Sequence, residues 1–139
     1  MRMRSPVQDP GIRLLRFGVA GLLCVHGVYR AATGGVSGFG EFLSAQGLPA
    51  GEAVAWLLTL VEIVGAPLLA FGVAVAPLAL WFSVELLAGI LLVHRHAGWF
   101  VVGGGRNGVE YSLCLIVALL ACVLSERRAR RAASALPGA

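Results

Sequence analysis

The sequence predicts an all-α fold, a bundle of four transmembrane helices with a short interfacial helix between helices 1 and 2. Of the 139 residues, 58% are hydrophobic and 13% are charged. Soluble domains average about 45–50% apolar and about 25% charged residues. A spanning helix needs about 20 apolar residues, and the chain contains four long apolar runs. This composition excludes an ordinary soluble enzyme and a disordered chain.

The four apolar runs are the predicted spans, and they cover roughly residues 12–32, 53–74, 75–93 and 109–124. The connection between the second and third runs is short and uncharged, so these helices should be antiparallel neighbours. Between the first two runs, four apolar residues lie among glycine, serine and glutamine: Phe39, Phe42, Leu43 and Leu48. This pattern predicts a short helix on the membrane surface, too short to span the bilayer.

The placement of the basic residues predicts the topology. All 11 are arginines, and most lie near the two ends of the chain. Because cytoplasmic flanks of membrane spans are enriched in basic residues, four spans would place both termini in the cytoplasm, with the protein in the inner (plasma) membrane. Residues 1–11 would form a basic leader, residues 12–125 the membrane domain and residues 126–139 an arginine-rich tail. The arginines flank membrane segments, so no nucleic-acid partner is expected.

Ionisable residues inside the apolar runs are the main functional signal. Charged groups are costly in a bilayer, so they usually face the bundle interior and mark function or an internal partner. With a rise of about 1.5 Å per residue, Glu62 and Glu85 reach nearly the same depth, near the middle of the second and third runs. His26 on the first helix lies about 6 Å nearer the outer surface. We predict that these three residues are catalytic and handle protons.

Helical periodicity places the polar residues on one stripe of each helix. The stripes comprise Arg16, His26 and Arg30 on the first helix, Glu62 and Gly65 on the second, Trp81, Glu85, Gly89, Leu92 and His96 on the third, and Glu110, Cys114 and Ala121 on the fourth. Four such stripes can meet in one bundle interior. The predicted substrate-binding residues around this interior are Arg30, Trp81, His94, His96 and Glu110.

These residues also have structural interpretations. The two mid-span glutamates could be neutral, hydrogen-bonded core residues that only fix the helix register. Asn107 and Glu110 have the N-cap and N3 spacing of a capping box. His94 and His96 could be polar residues at the membrane interface.

Several apparent motifs lack the required context. The string Gly103-x-Gly105-x-x-Gly108 resembles a dinucleotide-binding loop, but no strand precedes it and a membrane helix follows. His94-x-His96 does not match a strong metal-ligand spacing. The three cysteines form no C-x-x-C pair. The sequence therefore predicts neither a metal site nor a disulfide framework.

A set of short motifs is spread over the apolar background. They are Arg16 with Gly21, His26-Gly27 with Arg30, Phe39 and Phe42, Gly47-Leu48-Pro49, Val61-Glu62 with Gly65, Gly72, His94 and the glycine run before Glu110. With these features the chain resembles the DoxX family of small four-helix membrane proteins, over roughly Leu14 to Leu124. Three residues depart from the family pattern: Arg30 stands where lysine is expected, Ala66 where a second glycine is usual, and Glu85 is an additional acidic residue.

The resemblance implies a redox-associated subunit, because members of the family are described as membrane subunits of oxidoreductase systems, including quinone-linked thiosulfate oxidation. We hypothesise a quinone-linked subunit in which His26, Glu62 and Glu85 handle protons. Quinone is the one cofactor implied. The sequence carries no cysteine, haem or flavin pattern for an electron path, so a partner redox protein would supply the electrons.

Two other functional classes remain open at this point. One is a non-catalytic anchor or assembly subunit. Its outer loop, the loop between the third and fourth runs that begins at His94 and is predicted to face the outside, would dock a partner enzyme, and its polar core would only specify the bundle. The other is a small-solute or proton transporter, which the small number of helices disfavours unless the chain forms a homo-oligomer.

Overall fold

The computed structural model describes residues 9–102 and 107–135. In these two ranges the chain forms five α-helices and one short 3₁₀ helix, without strands. The helices are α1 (Pro10–Ala32), α2 (Gly35–Ala45), α3 (Gly51–Ala70), α4 (Val75–Leu92), the 3₁₀ helix (His94–Ala97) and α5 (Glu110–Ser134). The all-α prediction is confirmed. Most of the predicted leader, residues 1–8, and the end of the predicted tail, residues 136–139, lie outside the described residues.

Three of the described helices, α1, α3 and α4, are long and apolar enough to cross a membrane. Helix α5 is longer, but its uncharged stretch runs only from Tyr111 to Ser125, between two glutamates and ahead of a cluster of arginines. Helix α2 has 11 residues, about half the length that a span needs. Length and composition thus establish three candidate spans and leave the fourth, through α5, unconfirmed.

Local sequence signals explain where the helices begin and end. The Asp9 carboxylate accepts the backbone N–H of Gly11 at 2.7 Å, and Pro10 occupies the first helical position of α1; both favour a helix start. Helix α3 ends at a tight turn in which Gly72 has φ +84°, a left-handed conformation that glycine adopts without steric penalty. The short connection between α3 and α4 follows directly, as the sequence predicts.

One apolar core joins the four long helices. Helices α1 and α4 each pack against both α3 and α5. The core residues come from all four of these helices: Val19, Ala20 and Leu23, then Ala66 and Leu69, then Ala79 and Phe82, and finally Leu119 and Cys122. Helix α2 packs against the start of α3, where Gly40 approaches Gly51 and Glu52 so closely that a Cβ at Gly40 or Gly51 would collide with the other helix.

The relative directions of the helices follow from the positions of the arginines on α1. Near the start of α1, Arg16 donates from Nε to the carbonyl oxygen of Ala70 at the end of α3, at 3.1 Å. Near the other end of α1, Arg30 donates to Thr59, which lies earlier in α3, so helices α1 and α3 are antiparallel. Arg16 also influences Cys122 electrostatically, so the C-terminal half of α5 lies at the same end of the molecule. Among the described residues, Arg13 near the start of α1 and the arginines near the end of α5 therefore lie at one end, in agreement with the charge asymmetry of the sequence.

Candidate functional site

The centre of the site is a buried ion pair between α1 and α3. Nη1 of Arg30 lies 3.0 Å from Oε2 of Glu62, and Nη2 lies 3.4 Å from Oε1. Nη1 also donates to the hydroxyl of Thr59 at 2.9 Å. The Arg30 and Glu62 side chains are only 13% and 4% exposed. Since buried charges are tolerated when they are paired and hydrogen-bonded, each partner stabilises the charged form of the other.

Glycine at position 27 permits this contact. A Cβ there would lie 2.7 Å from Cβ of Glu62 and 3.2 Å from the carbonyl oxygen of Thr59. The first distance is shorter than any ordinary Cβ contact, so a larger residue would push α1 away from α3. Small residues serve this purpose at many membrane helix interfaces.

A second carboxyl group, that of Glu85 on α4, completes the centre. It interacts with the carboxyl group of Glu62 and with the indole N–H of Trp81, one turn earlier on α4. Glu62 and Glu85 each retain one buried oxygen, Oε2, without a hydrogen-bond donor. For Glu62 Oε2, the nearby Nη1 of Arg30 has a suitable distance but not the geometry of a hydrogen bond. The structure thus brings together the two mid-span glutamates and Trp81, as their depths and stripes suggest.

Helix α2 covers one side of the ion pair. The guanidinium carbon of Arg30 lies 4.5 Å from the ring centroid of Phe39, a cation–π contact of about 0.5–2 kcal/mol. From the sequence, Phe39 is predicted to lie in the interfacial helix and is one of the family motif residues, but it is not predicted to contact Arg30, and Thr59 is not singled out. Helical spacing could have found Thr59, because it lies three residues before Glu62 and therefore on the same face of α3.

His26 lies beside the centre rather than in it. Its side chain is exposed on the surface of the chain. Its electrostatic neighbours are Arg30 and His94, not the glutamates. The predicted group of three proton-handling residues is therefore divided, with Arg30 between the histidine and the carboxyl pair.

His94 connects the outer loop to the end of α4. Its Nδ1 lies 2.7 Å from the carbonyl oxygen of Asn107; because a carbonyl only accepts, Nδ1 must carry the proton. The opposite edge of the ring faces Gly89, where a Cβ would lie 3.7 Å from Nε2. His94 is thus held in one orientation next to the outer end of α4.

His96 does not belong to the polar stripe of α4. That helix ends at Leu92, and His96 lies in the 3₁₀ helix that follows. Its side chain is exposed, and its Nε2 accepts a hydrogen bond from Nε of Arg95 at 3.1 Å. The predicted continuation of the stripe from Glu85 to His96 is wrong, because the change of helix type breaks the 100° periodicity.

Glu110 holds the outer loop in place. Its carboxylate accepts the backbone N–H of Val101 at 2.8 Å. The N-cap of α5 is Val109, which makes no side-chain capping bond, so the predicted capping box with Asn107 is wrong. The buried face of α5 is formed by Ser112, Leu115, Leu119, Cys122, Val123 and Ser125, and the predicted polar stripe of Glu110, Cys114 and Ala121 does not face the interior.

Of the glycine string that begins at Gly103, residues 103–106 lie outside the described part of the chain. Gly108 lies inside it and is buried against the backbone of Trp99 and Phe100. Its small size therefore has a packing reason, the close approach of the loop to the start of α5.

The arrangement can hold and transfer a proton. Two interacting carboxyl groups and one arginine carry no net charge when the pair holds a single proton. The pair can pass that proton to a neighbouring acceptor at the cost of a transient negative charge inside the membrane. Within residues 9–102 and 107–135, no three or more metal-ligating side chains cluster.

Comparison with known proteins gives one match. The DoxX family model matches residues 11–95, more than half of the chain, and the matched part contains Arg30, Glu62, Glu85 and His94. No curated protein and no solved structure matches the chain. With its three apolar candidate spans and this match, the chain is a membrane protein that belongs to the DoxX family.

Proposed function

We propose that the protein is an integral membrane subunit of a quinone-linked oxidoreductase, in which the buried carboxyl pair handles protons. The observation that supports this proposal is the meeting of Glu62 and Glu85 from adjacent helices, each with one oxygen that lacks a donor. Such a pair is costly inside a membrane. Proton transfer is the chemistry that uses carboxyl groups in this state.

The residues around the pair fit a quinone. Reduction of a quinone to a quinol consumes two electrons and two protons, and a partner redox protein would supply the electrons. Arg30 has N–H groups beyond those directed at Glu62 and Thr59, and these suit a carbonyl oxygen. The single indole N–H of Trp81 is directed at Glu85, and Glu85 can give or take a proton. Trp81, which neighbours the pair, is 41% exposed, so its side chain can be reached from the apolar phase in which quinones dissolve.

The proposed arrangement in the membrane has four spans, with α5 as the fourth and both termini in the cytoplasm. Helix α5 shares the core of the other three, and Arg13 lies at the same end of the described bundle as the arginines near the end of α5, a bias typical of cytoplasmic flanks. A cysteine at Ser134 should be protected from an impermeant thiol reagent in intact cells, whereas a cysteine at Ser37 in α2 should react. The unsubstituted chain gives the background labelling of the three native cysteines. Labelling at position 134 but not at position 37 would show the opposite orientation.

The proposed function is tested by electron transfer to quinone in membranes that contain Glu62→Gln or Glu85→Gln. The amide keeps the size and hydrogen-bonding shape of the side chain but cannot titrate. Since general acid–base groups contribute typically about 10²–10⁴-fold, each variant should lose at least about tenfold in rate at a normal protein level. The matched control is Glu41→Gln, which changes an exposed carboxylate on α2. Unchanged rates in both site variants would make the pair structural.

A second candidate function, a non-catalytic anchor for a partner enzyme, is favoured by the outer loop. Trp99, Phe100 and Val102 are 53%, 61% and 74% exposed, and exposed aromatic residues are enriched in the cores of protein interfaces. The anchor function requires that the double variant Trp99→Ala, Phe100→Ala lose the partner on purification. Glu62→Gln should then keep both the partner and the activity.

A further inference from the structure

We infer that a single proton bridges Oε2 of Glu62 and Oε2 of Glu85, and that Arg30 is the positioning residue that keeps this proton on Glu85. The inference deepens the proposed function and rests on it for the use of the proton in the reaction. The bound proton itself is a property of the resting protein.

The first step of the argument is a count of hydrogen-bond donors. The two Oε2 atoms are buried and have no donor from the described residues, and their carboxyl groups interact with each other. Two ionised carboxylates only accept hydrogen bonds, so the contact as it stands would be repulsive. One added proton changes one oxygen into a donor and satisfies both atoms at once.

The second step is a count of charges. The groups that face Glu85 are the carboxyl group of Glu62 from α3, the guanidinium of Arg30 from α1 and the indole of Trp81 from its own helix. With one proton on the pair, the cation and the remaining carboxylate cancel. Without the proton the centre would carry a net negative charge, and with a second proton the buried arginine would lack a counter-ion; both states are costly in a membrane.

The third step decides which glutamate holds the proton. Both terminal nitrogens of Arg30 lie against Glu62, at 3.0 and 3.4 Å, and Thr59 fixes Nη1 by a further hydrogen bond. Charge-assisted contacts of this kind favour the ionised form of the carboxyl group that receives them. Glu62 is therefore the carboxylate, and Glu85 is the acid that donates to it.

The experiment is infrared spectroscopy of the purified resting protein in lipid, in H₂O and D₂O at neutral pH, which counts protonated carboxyl groups by their C=O stretching band. We expect one such group per chain. Glu85→Gln and Glu62→Gln should each abolish the band, because the amide N–H then donates to the remaining carboxylate. The control Glu41→Gln should leave the band unchanged.

The role of Arg30 has its own readout in the same spectrum. Arg30→Gln removes the cation, so both glutamates should be protonated and the band should double. Arg30→Lys keeps the charge and should restore a single group, which a merely structural role would not predict. A wild-type protein without the band, or a band that survives Glu85→Gln, would overturn the inference. If the wild-type band has the expected size but the Gln variants reduce quinone at the normal rate, the bound proton is supported and the proposed function is wrong.

Discussion

Two arginines on one face of α1 have partners of different kinds. Arg16 donates to the carbonyl oxygen of Ala70 at the end of α3, and its guanidinium group lies against Gly72 in the turn that follows, where a Cβ would be 3.3 Å from Nη2. Arg30, near the other end of α1, is paired with the carboxylate of Glu62. One arginine thus meets neutral backbone, and the other meets a charged side chain.

This difference separates a contact that only supports the packing of the helices from a contact that belongs to the candidate site. The last carbonyls of a helix lack intrahelical partners, and a cation near them is favoured by the helix dipole, so Arg16 only completes the end of α3. Arg30 is in contact with a carboxylate that itself contacts a second carboxyl group. Both ends of α1 bury an arginine, but only the end at Arg30 places a pair of carboxyl groups beside it.

The largest expected effect is the loss of the Arg30 charge. Arg30→Met removes the counter-ion of Glu62, so Glu62 must take up a proton to remain buried, and the free energy of unfolding should fall by about 3–5 kcal/mol. Arg16→Met removes one hydrogen bond and leaves one carbonyl oxygen unsatisfied, a loss of about 1–3 kcal/mol. Denaturant unfolding of both variants in detergent micelles measures the difference.

A second variant makes the comparison sharper. Replacement of both partners, Arg30→Met with Glu62→Met, should recover most of the stability lost in the single variant, because the double replacement leaves no isolated charge on either side chain. Equal losses for Arg16→Met and Arg30→Met, without recovery in the double variant, would contradict the distinction between the two ends of α1.

Close packing at the outer end gives the next effect. Gly27→Ala places a methyl group against Glu62, and overpacking of this kind costs about 1–3 kcal/mol. Gly21→Ala is the matched control on the same helix, because a Cβ there has nothing within 4 Å. Alanine is favoured over glycine within a helix by about 0.5–1 kcal/mol, so the control should be stabilised. Thermal unfolding that moves in the same direction for both variants would refute the importance of the close approach.

The helices and the depth of the carboxyl pair could be predicted from the sequence because they depend on local periodicity. Long apolar runs predicted α1, α3 and α4, and the helical rise per residue predicted that Glu62 and Glu85 lie at the same depth. The pairing of Arg30 with Glu62 could not be predicted in this way, since the partner of a long side chain depends on how two helices pack. For the same reason Glu110, which looks like a capping residue in the sequence, bonds instead to a loop that folds back onto it.

The smallest effect lies midway between the two arginines, where α1 also contacts α3. Pro67 has no N–H, so it cannot donate to the carbonyl oxygen of Ile63 one turn earlier. The thiol of Cys24 donates to that oxygen instead, with Sγ at 3.9 Å. Cys24→Ala should cost about 0.5–1 kcal/mol, the usual range for a weak donor of this kind.

The test of this contact is a double-mutant cycle. Pro67→Ala restores the backbone donor, so Cys24→Ala should cost less in that background than in the native chain. Cys114→Ala controls for the loss of a thiol, because Cys114 is exposed and should have almost no effect in either background. If Cys24→Ala costs the same with and without Pro67, the thiol does not serve the free carbonyl. The Arg16 and Arg30 contacts would then be the only polar links between α1 and α3 in the described part of the chain, and the middle of this interface would depend on packing alone.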